Sequence, residues 1–393
     1  MKILLVSDYG VPRGGSEIVT LAMRRCLREH GHDARLFASS ANLKGGPTDA
    51  DYHCFGTMSP LRVALWPINP FAAVKLARVL NEFQPHVVHV RLFLSQLSPL
   101  ILPLLRNVPA ILHEGWYRTV CPIGSKVLPD GRECNKPAGL VCCRSGCVPP
   151  LAWPLAMAQL RLWQRWRDVF DLIIANSQAV ARQLREANIG PVEVIRNGIA
   201  QREARPPLTG PPTIVFAGRL VREKGVDVLL RAFELVTRRL AHARLMIAGE
   251  GPEKRHLEKS SEHLVPNVTF LGHLPRAEIE RRFNAAWVQA VPSRGAEAFG
   301  NAGAEAMMRG TALVATANGG FTEYVQHQRT GLLVPSDDAA SLSDALLSIL
   351  SDREFAESLG QEGRRFALQE FNQQQFIERF EAIYSRLTAH SRS

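Results

Sequence analysis

The chain has 393 residues, 46 % apolar and 21 % charged, the balance of a soluble globular enzyme with two domains rather than one. No apolar run approaches the roughly 18 residues of a membrane span, and the apolar core of MKILLVSDYG is too short for a signal peptide, so a cytoplasmic protein is expected. Forty-seven Lys and Arg against 37 Asp and Glu leave a formal charge of +10, which favours an anionic partner such as a phosphorylated substrate or an anionic membrane face. Nucleic acid is set aside as a partner, because no basic heptad helix, His-bearing finger or aromatic RNA-binding stretch is present.

In chain order, the first half carries the short apolar runs KILLVSD, DARLFAS, HVVHV, AILHE, LIIANS and VEVIRNG. The second half carries TIVFAGRL, RLMIAGEG, VTFLG, VQAVPS, ALVAT and GLLVP. Amphipathic stretches separate them, the pattern of βα units and parallel sheets. SEIVTLAMRRCLREHG places Ile18, Val19, Ala22, Cys26 and Leu27 on one helical face, and VDVLLRAFELV does the same with Leu229, Leu230, Phe233 and Val236. The spacing predicts an α/β protein of two doubly wound Rossmann-like domains facing across a cleft: residues 1–200, a Pro-rich charged linker over 201–212, and residues 213–371. Residues 372–393 read as a C-terminal helix returning to the N-terminal domain.

Ligands of such sheets sit beyond the carboxyl ends of the strands, so the loops after the apolar runs carry the function. VQAVPSRGAEAFGNAGAE goes strand, loop, helix, with Asn301 placed to cap the helix and the helix start placed to hold a phosphate. Glu297 and Glu305 flank that start; a carboxylate there suits hydroxyl groups, since it accepts two hydrogen bonds from a diol. Phosphates between two diols describe a nucleotide-sugar. In GRLVREKGV, Arg219 and Lys224 can converge on one diphosphate. In DYGVPRGGSEI, Gly14 and Gly15 precede a helix and allow close approach of a phosphate, although neither a dinucleotide fingerprint nor a P-loop is present. His113 ends the strand AILHE, and Asn197–Gly198 makes a turn before the linker. The D-x-D at Asp49–Asp51 reads as solvated surface.

These segments resemble the family 4 glycosyltransferases of the GT-B fold, retaining and nucleotide-sugar dependent. The likeness spans nearly the whole chain and rests on the Glu297/Glu305 pair in EAFGNAGAEAMMRG, on GRLVREKGVDVLLRAF and on NGGFTEYVQHQRTGLLVP. It implies that Glu305 binds the ribose and Glu297 a hydroxyl of the donor sugar. The amides of Phe299 and Gly300 would touch the sugar and those of Asn301 and Ala302 the phosphates. Arg219 and Lys224 would clamp the diphosphate, helped by Gly15, and His113 would line the sugar pocket. The base would lie near Gly272–Leu274, with UDP the default nucleotide. Two departures are Ala298, where the family often has Pro, and Phe-Thr-Glu after the glycines at 319–320. The family's chemistry implies departure and attack on one face of the sugar, with no metal required. A GT-B epimerase or synthase, or a non-catalytic nucleotide-sugar-binding subunit, would share the same clamp.

Two further segments stand apart. The insertion over 116–150 holds Cys121, Cys134, Cys142, Cys143 and Cys147, a cluster open to three readings: structural zinc, redox thiols or disulfides. The stretch PPLAWPLAMAQLRLWQRWRDVF mixes Trp153, Trp163 and Trp166 with Arg161, Arg165 and Arg167, and fits either a domain helix or one lying on an anionic membrane that presents a lipid-linked acceptor.

Overall fold

The computed structural model describes residues 1–12, 14–41 and 48–390. They divide into two compact units. The first takes the chain to Pro129, Cys134–Gly198 and everything from Gln374; the second takes Asp130–Glu133 and Ile199–Gln373.

The first unit is built on strands β1 (Lys2–Tyr9), β2 (Asp33–Ser39), β3 (Tyr52–Cys54), β4 (Val87–Val90), β5 (Ala110–Glu114), β6 (Leu172–Ala175) and β7 (Val192–Val194). Their order in the sheet is β3-β2-β1-β4-β5-β6-β7, parallel at every pairing. The second unit holds β8 (Thr213–Ala217), β9 (Arg244–Ala248), β10 (Val268–Gly272), β11 (Val288–Val291), β12 (Ala312–Thr316) and β13 (Leu332–Val334), again parallel, in the order β10-β9-β8-β11-β12-β13. Both orders reverse direction once, between β1 and β4 and between β8 and β11. That reversal is the topological switch point at which doubly wound sheets bind ligands. The central strands read as unbroken apolar runs because both of their faces are covered: Ile3, Leu4, Leu5 and Val6 are all solvent-inaccessible, as are Ala312, Leu313, Val314 and Ala315.

The helix Gly15–Glu29 buries Val19, Thr20, Met23 and Leu27, whereas Ile18 is exposed. The buried stripe is thus rotated from the one expected, with Met23 in the first unit's core and Cys26 only partly buried against it. Helix Val226–Arg239 buries Leu229, Leu230, Phe233 and Val236. The helix Trp153–Trp166 lays its apolar side inward: Trp163 is solvent-inaccessible, and the indoles of Trp163 and Trp153 donate to the carbonyls of Thr119 and Gly139. It packs as a domain helix, with Trp163 in the core and Trp153 and Trp166 only partly buried. Among the described residues no helix is long and apolar enough to cross one.

The linker residues 201–212 are held by packing: Arg205 is buried, pairs with Glu357 at 2.8 Å and donates to the Gly310 carbonyl, and Leu208 is buried beside it. Both acids of the D-x-D are exposed, as expected, and Asp51 also pairs with Arg28 at 2.8 Å and accepts the Leu36 amide. The helix Gln373–His390 packs Phe376, Ile377, Phe380, Ile383 and Tyr384 into the first unit's core with Ile3, Leu5, Ile111 and Ile174.

Candidate functional site

In the second unit, Arg219 and Lys224 follow β8, and Glu297 follows β11, its neighbour across the switch point. A single 3₁₀ turn, Arg222–Lys224, lifts Lys224 toward the β11 loop. Its ammonium donates to Glu297 Oε1 at 2.5 Å, and the hydroxyl of Ser293 donates to the same oxygen at 2.6 Å. Burial pushes the Glu297 carboxyl up, but the Lys224 ammonium, the Ser293 hydroxyl and the charge of Arg219 outweigh it, and the group is held below its ordinary value. Glu297 is therefore a carboxylate at neutral pH. The Arg219 side chain is 61 % exposed, 3.5 Å from Glu223.

Two glycines fix the Glu297 loop. Gly319 has φ +52°, and a methyl group on it would stand 2.2 Å from the Glu297 carbonyl oxygen; that same oxygen accepts the Gly320 amide at 2.8 Å. Gly300 has φ +86°, and a methyl group there would strike the Phe321 ring at 2.4 Å. Gly300, rather than Asn301, is the cap of the helix Asn301–Arg309. Its carbonyl receives the amides of Gly303 and Ala304 and the hydroxyl of Tyr324. The helix end, with the amides of Asn301 and Ala302 in its first turn, thus carries the partial positive charge that suits a phosphate. The Phe299 ring is buried against Tyr324 and Phe371, so only its backbone can serve a ligand.

Glu305 accepts from Arg276 Nη2 at 2.8 Å, a partner its sequence context did not suggest. A ribose would have to share the carboxylate with that guanidinium. Leu274 is half-buried against the small cluster of Phe283 and Ala286, a wall rather than a polar contact. Arg294 is the residue that sequence reasoning missed most clearly. It is buried, bonds both oxygens of Asp227 at 2.7 and 2.6 Å, reaches Asp337 at 2.8 Å and donates to the Arg222 carbonyl. It thereby ties the loops after β8, β11 and β13 together. Its place just after a strand end was the available signal.

The first unit has its own cluster at the switch point between β1 and β4. Gly14 is extended, at φ −157°, and its carbonyl takes the Ile18 amide at the start of the helix. Arg91, directly after β4, is 2 % exposed, and among the described residues its Nε and Nη1 have no hydrogen-bond partner. Glu114 ends β5; burial pushes its carboxyl up to about 7. A methyl group on Gly115 would stand 3.3 Å from Asn176 Nδ2 and 3.5 Å from both Arg91 Nη2 and Ser16 Oγ, so these donors surround one space.

His113 does not join them. Strand alternation sends its ring to the opposite side from Glu114, where it stacks 4.9 Å from Phe380 of the C-terminal helix and 5.3 Å from His89. It is solvent-inaccessible, and burial, with Arg91 and His89 adding to the effect, lowers its pKa well below the ordinary value. His113 is a neutral core residue, which corrects its expected place in a sugar pocket.

The comparisons agree with this architecture. Residues 13–202 match the model of Glycosyltransferase Family 4 and residues 199–366 that of Glycosyl transferases group 1. A glycogen synthase of Mycobacterium tuberculosis is 32 % identical over 52 % of this chain and 51 % of its own length. A GDP-mannose-dependent alpha-(1-6)-phosphatidylinositol monomannoside mannosyltransferase of the same species is 36 % identical over 39 % of this chain and 42 % of its own. The chain thus spans about half the length of the curated relatives it matches. Sucrose-phosphate synthase from Thermosynechococcus elongatus superposes with a TM-score of 0.79 at 23 % identity, covering 99 % of both chains. Two parallel Rossmann-like units with these switch-point loops define a GT-B protein. The chain belongs to the family 4 glycosyltransferases.

Proposed function

We propose that the protein is a retaining, metal-independent glycosyltransferase that moves a sugar from a nucleoside-diphosphate-sugar to a hydroxyl acceptor in polysaccharide or glycolipid assembly. The observation that carries the reading is the Lys224–Glu297 pair at the β8–β11 switch point, beside the N-terminus of helix Asn301–Arg309. Glu297, ionised and held from one side, offers its second oxygen to a sugar hydroxyl. Lys224, Arg219 and the helix end lie where negative charge grows on the leaving phosphate. The bond from the anomeric carbon to the diphosphate oxygen breaks, the acceptor oxygen bonds to the same face, and its proton passes to the departing phosphate. UDP is the nucleotide implied by the family resemblance; the mannosyltransferase relative makes GDP the rival.

The acceptor end of the reading rests on the first unit. Arg91, Glu114 and Asn176 offer donors and an acceptor to a polyol. On the same unit, the helix Pro70–Phe83 exposes Phe71 and Val74 beside Phe55, each more than half exposed, with Lys75 and Arg78 adjoining a cavity of about 460 Å³. Apolar side chains rimmed by cations suit an anionic bilayer carrying a lipid-linked acceptor. Sedimentation with anionic vesicles, lost in the double variant Phe71→Ser/Val74→Ser and absent with neutral vesicles, is the result expected.

Incubation with UDP- and GDP-sugars, followed by NMR of the released or transferred sugar, tests the central claim. Retained anomeric configuration supports it. Inversion, or nucleotide binding with no sugar release from any donor, overturns it and favours the binding-subunit reading. Donor isomerisation without an acceptor favours an epimerase.

A further inference from the structure

The insertion between β5 and the helix Trp153–Trp166 contains one short helix, Leu140–Arg144, and is otherwise turns and isolated extended residues. Four of its five cysteines, Cys121, Cys134, Cys142 and Cys147, line one small cavity of about 20 Å³. That is room for a single atom-sized guest, since a water needs roughly 10–15 Å³ on such a measure. Cys143, although next to Cys142 in sequence, is not on its wall. The remaining lining is apolar, including Ile123, Val127 and Val141, so sulfur supplies the only side-chain metal donors facing the space.

We propose that Cys121, Cys134, Cys142 and Cys147 form a tetrathiolate site for one structural zinc ion. The set separates the cluster into C-x₁₂-C-x₇-C-x₄-C, and its last interval matches the short ligand spacing of structural zinc sites. The turn between Cys142 and Cys147 is built for it: Gly146 has φ +72°, and the Cys142 carbonyl accepts the Val148 amide at 3.0 Å. Four thiolates select a soft ion with tetrahedral geometry. Each Zn–S bond forms as a thiol gives its proton to solvent, and the resulting dianionic centre lies in a segment with a buried cation. That cation is Lys126, 6 % exposed, whose carbonyl holds the Cys134 amide at 2.7 Å. Among the described residues no three such groups already stand at metal-ligand spacing. Binding therefore draws the sulfurs inward, to about 2.3 Å from a common centre. A segment with so little regular structure gains its order from such a cross-link, because metal affinity becomes folding free energy.

Elemental analysis of the full chain, purified under reducing conditions, is expected to give about one zinc per chain. Cys121→Ser and Cys142→Ser should lose the metal, and Cys143→Ser should keep it. If a variant does not fold, the wild-type chain still decides: titration with a mercurial should release the zinc as four thiols react, and the cobalt-loaded protein should show the spectrum of a tetrahedral thiolate site. A chain that carries no zinc and takes up none when it is supplied overturns the proposal. So do iron with acid-labile sulfide in place of zinc, disulfides among these four cysteines in protein isolated from reducing cells, and loss of metal from Cys143→Ser.

Discussion

Lys224 Nζ and Glu297 Oε1 stand 2.5 Å apart although 73 positions separate them in the chain. The pair joins the loops of two neighbouring strands, so each side chain serves the other before any ligand arrives. Lys224 has three donors and gives one here. The other two are the ones the proposed clamp would give to a diphosphate.

Replacing these cations tests the clamp. Lys224→Ala and Arg219→Ala are each expected to lower kcat by roughly 10²–10³, as removal of an oxyanion donor does. Arg219 is largely exposed, so its variant should keep the wild-type melting temperature. Lys224→Ala also strands the Glu297 carboxylate and should melt lower. Steady-state kinetics with matched melting curves check both; unchanged turnover in the pair of variants removes the clamp.

Glu305→Gln should weaken binding of the free nucleoside diphosphate by roughly 10- to 100-fold, the value of one charge-assisted hydrogen bond. Arg276→Ala frees the carboxylate from its ion pair and should leave affinity equal or higher. Calorimetry on the two variants measures this directly. An unaltered dissociation constant in Glu305→Gln means that the carboxylate belongs to Arg276 and not to the ribose.

Glu114 predicts a pH dependence. Its folded-state pKa of about 7 lies above the ordinary 4.5, so the folded chain holds an extra proton between those values. The associated stability is complete below about pH 4.5 and is lost as pH rises through 7, a total on the order of 3 kcal/mol. His89 and His113, whose pKa values are depressed, act with the opposite sign and lose stability as pH falls below 6.5. The quantity to measure is therefore the difference between wild type and Glu114→Gln in denaturant unfolding from pH 4 to pH 8. A difference that does not vary with pH contradicts the assignment.

His113→Phe should leave transfer activity essentially intact. The ring stacks on Phe380 and presents no face to solvent, and phenylalanine fills the same slab without the two nitrogens, which among the described residues have no partner. Activity assays of the soluble variant decide; a large fall in kcat at unchanged stability would return His113 to the reacting centre.

The strands were legible because parallel sheets bury both faces. All twelve apolar runs named from the sequence became strands, and the one overlooked, Tyr52–Cys54, is a three-residue edge with only one neighbour to pair with. The loops holding Glu297, Lys224 and Arg219 stood out because their polar residues sit directly behind such runs. Arg294, Arg91 and Asn176 did not stand out, since each is a single polar residue whose partners arrive from distant loops. His113 misled because its distance from the strand end was weighed and its parity was not: one residue further along, the side chain faces the other way.

The tail helix that carries Phe376, Phe380 and Tyr384 into the first sheet makes that half of the molecule discontinuous in the gene. A fragment stopping at Gly198 would leave an open hydrophobic trough where the helix belongs. Chimeras that trade this unit between relatives would therefore have to exchange both ends of the coding sequence together.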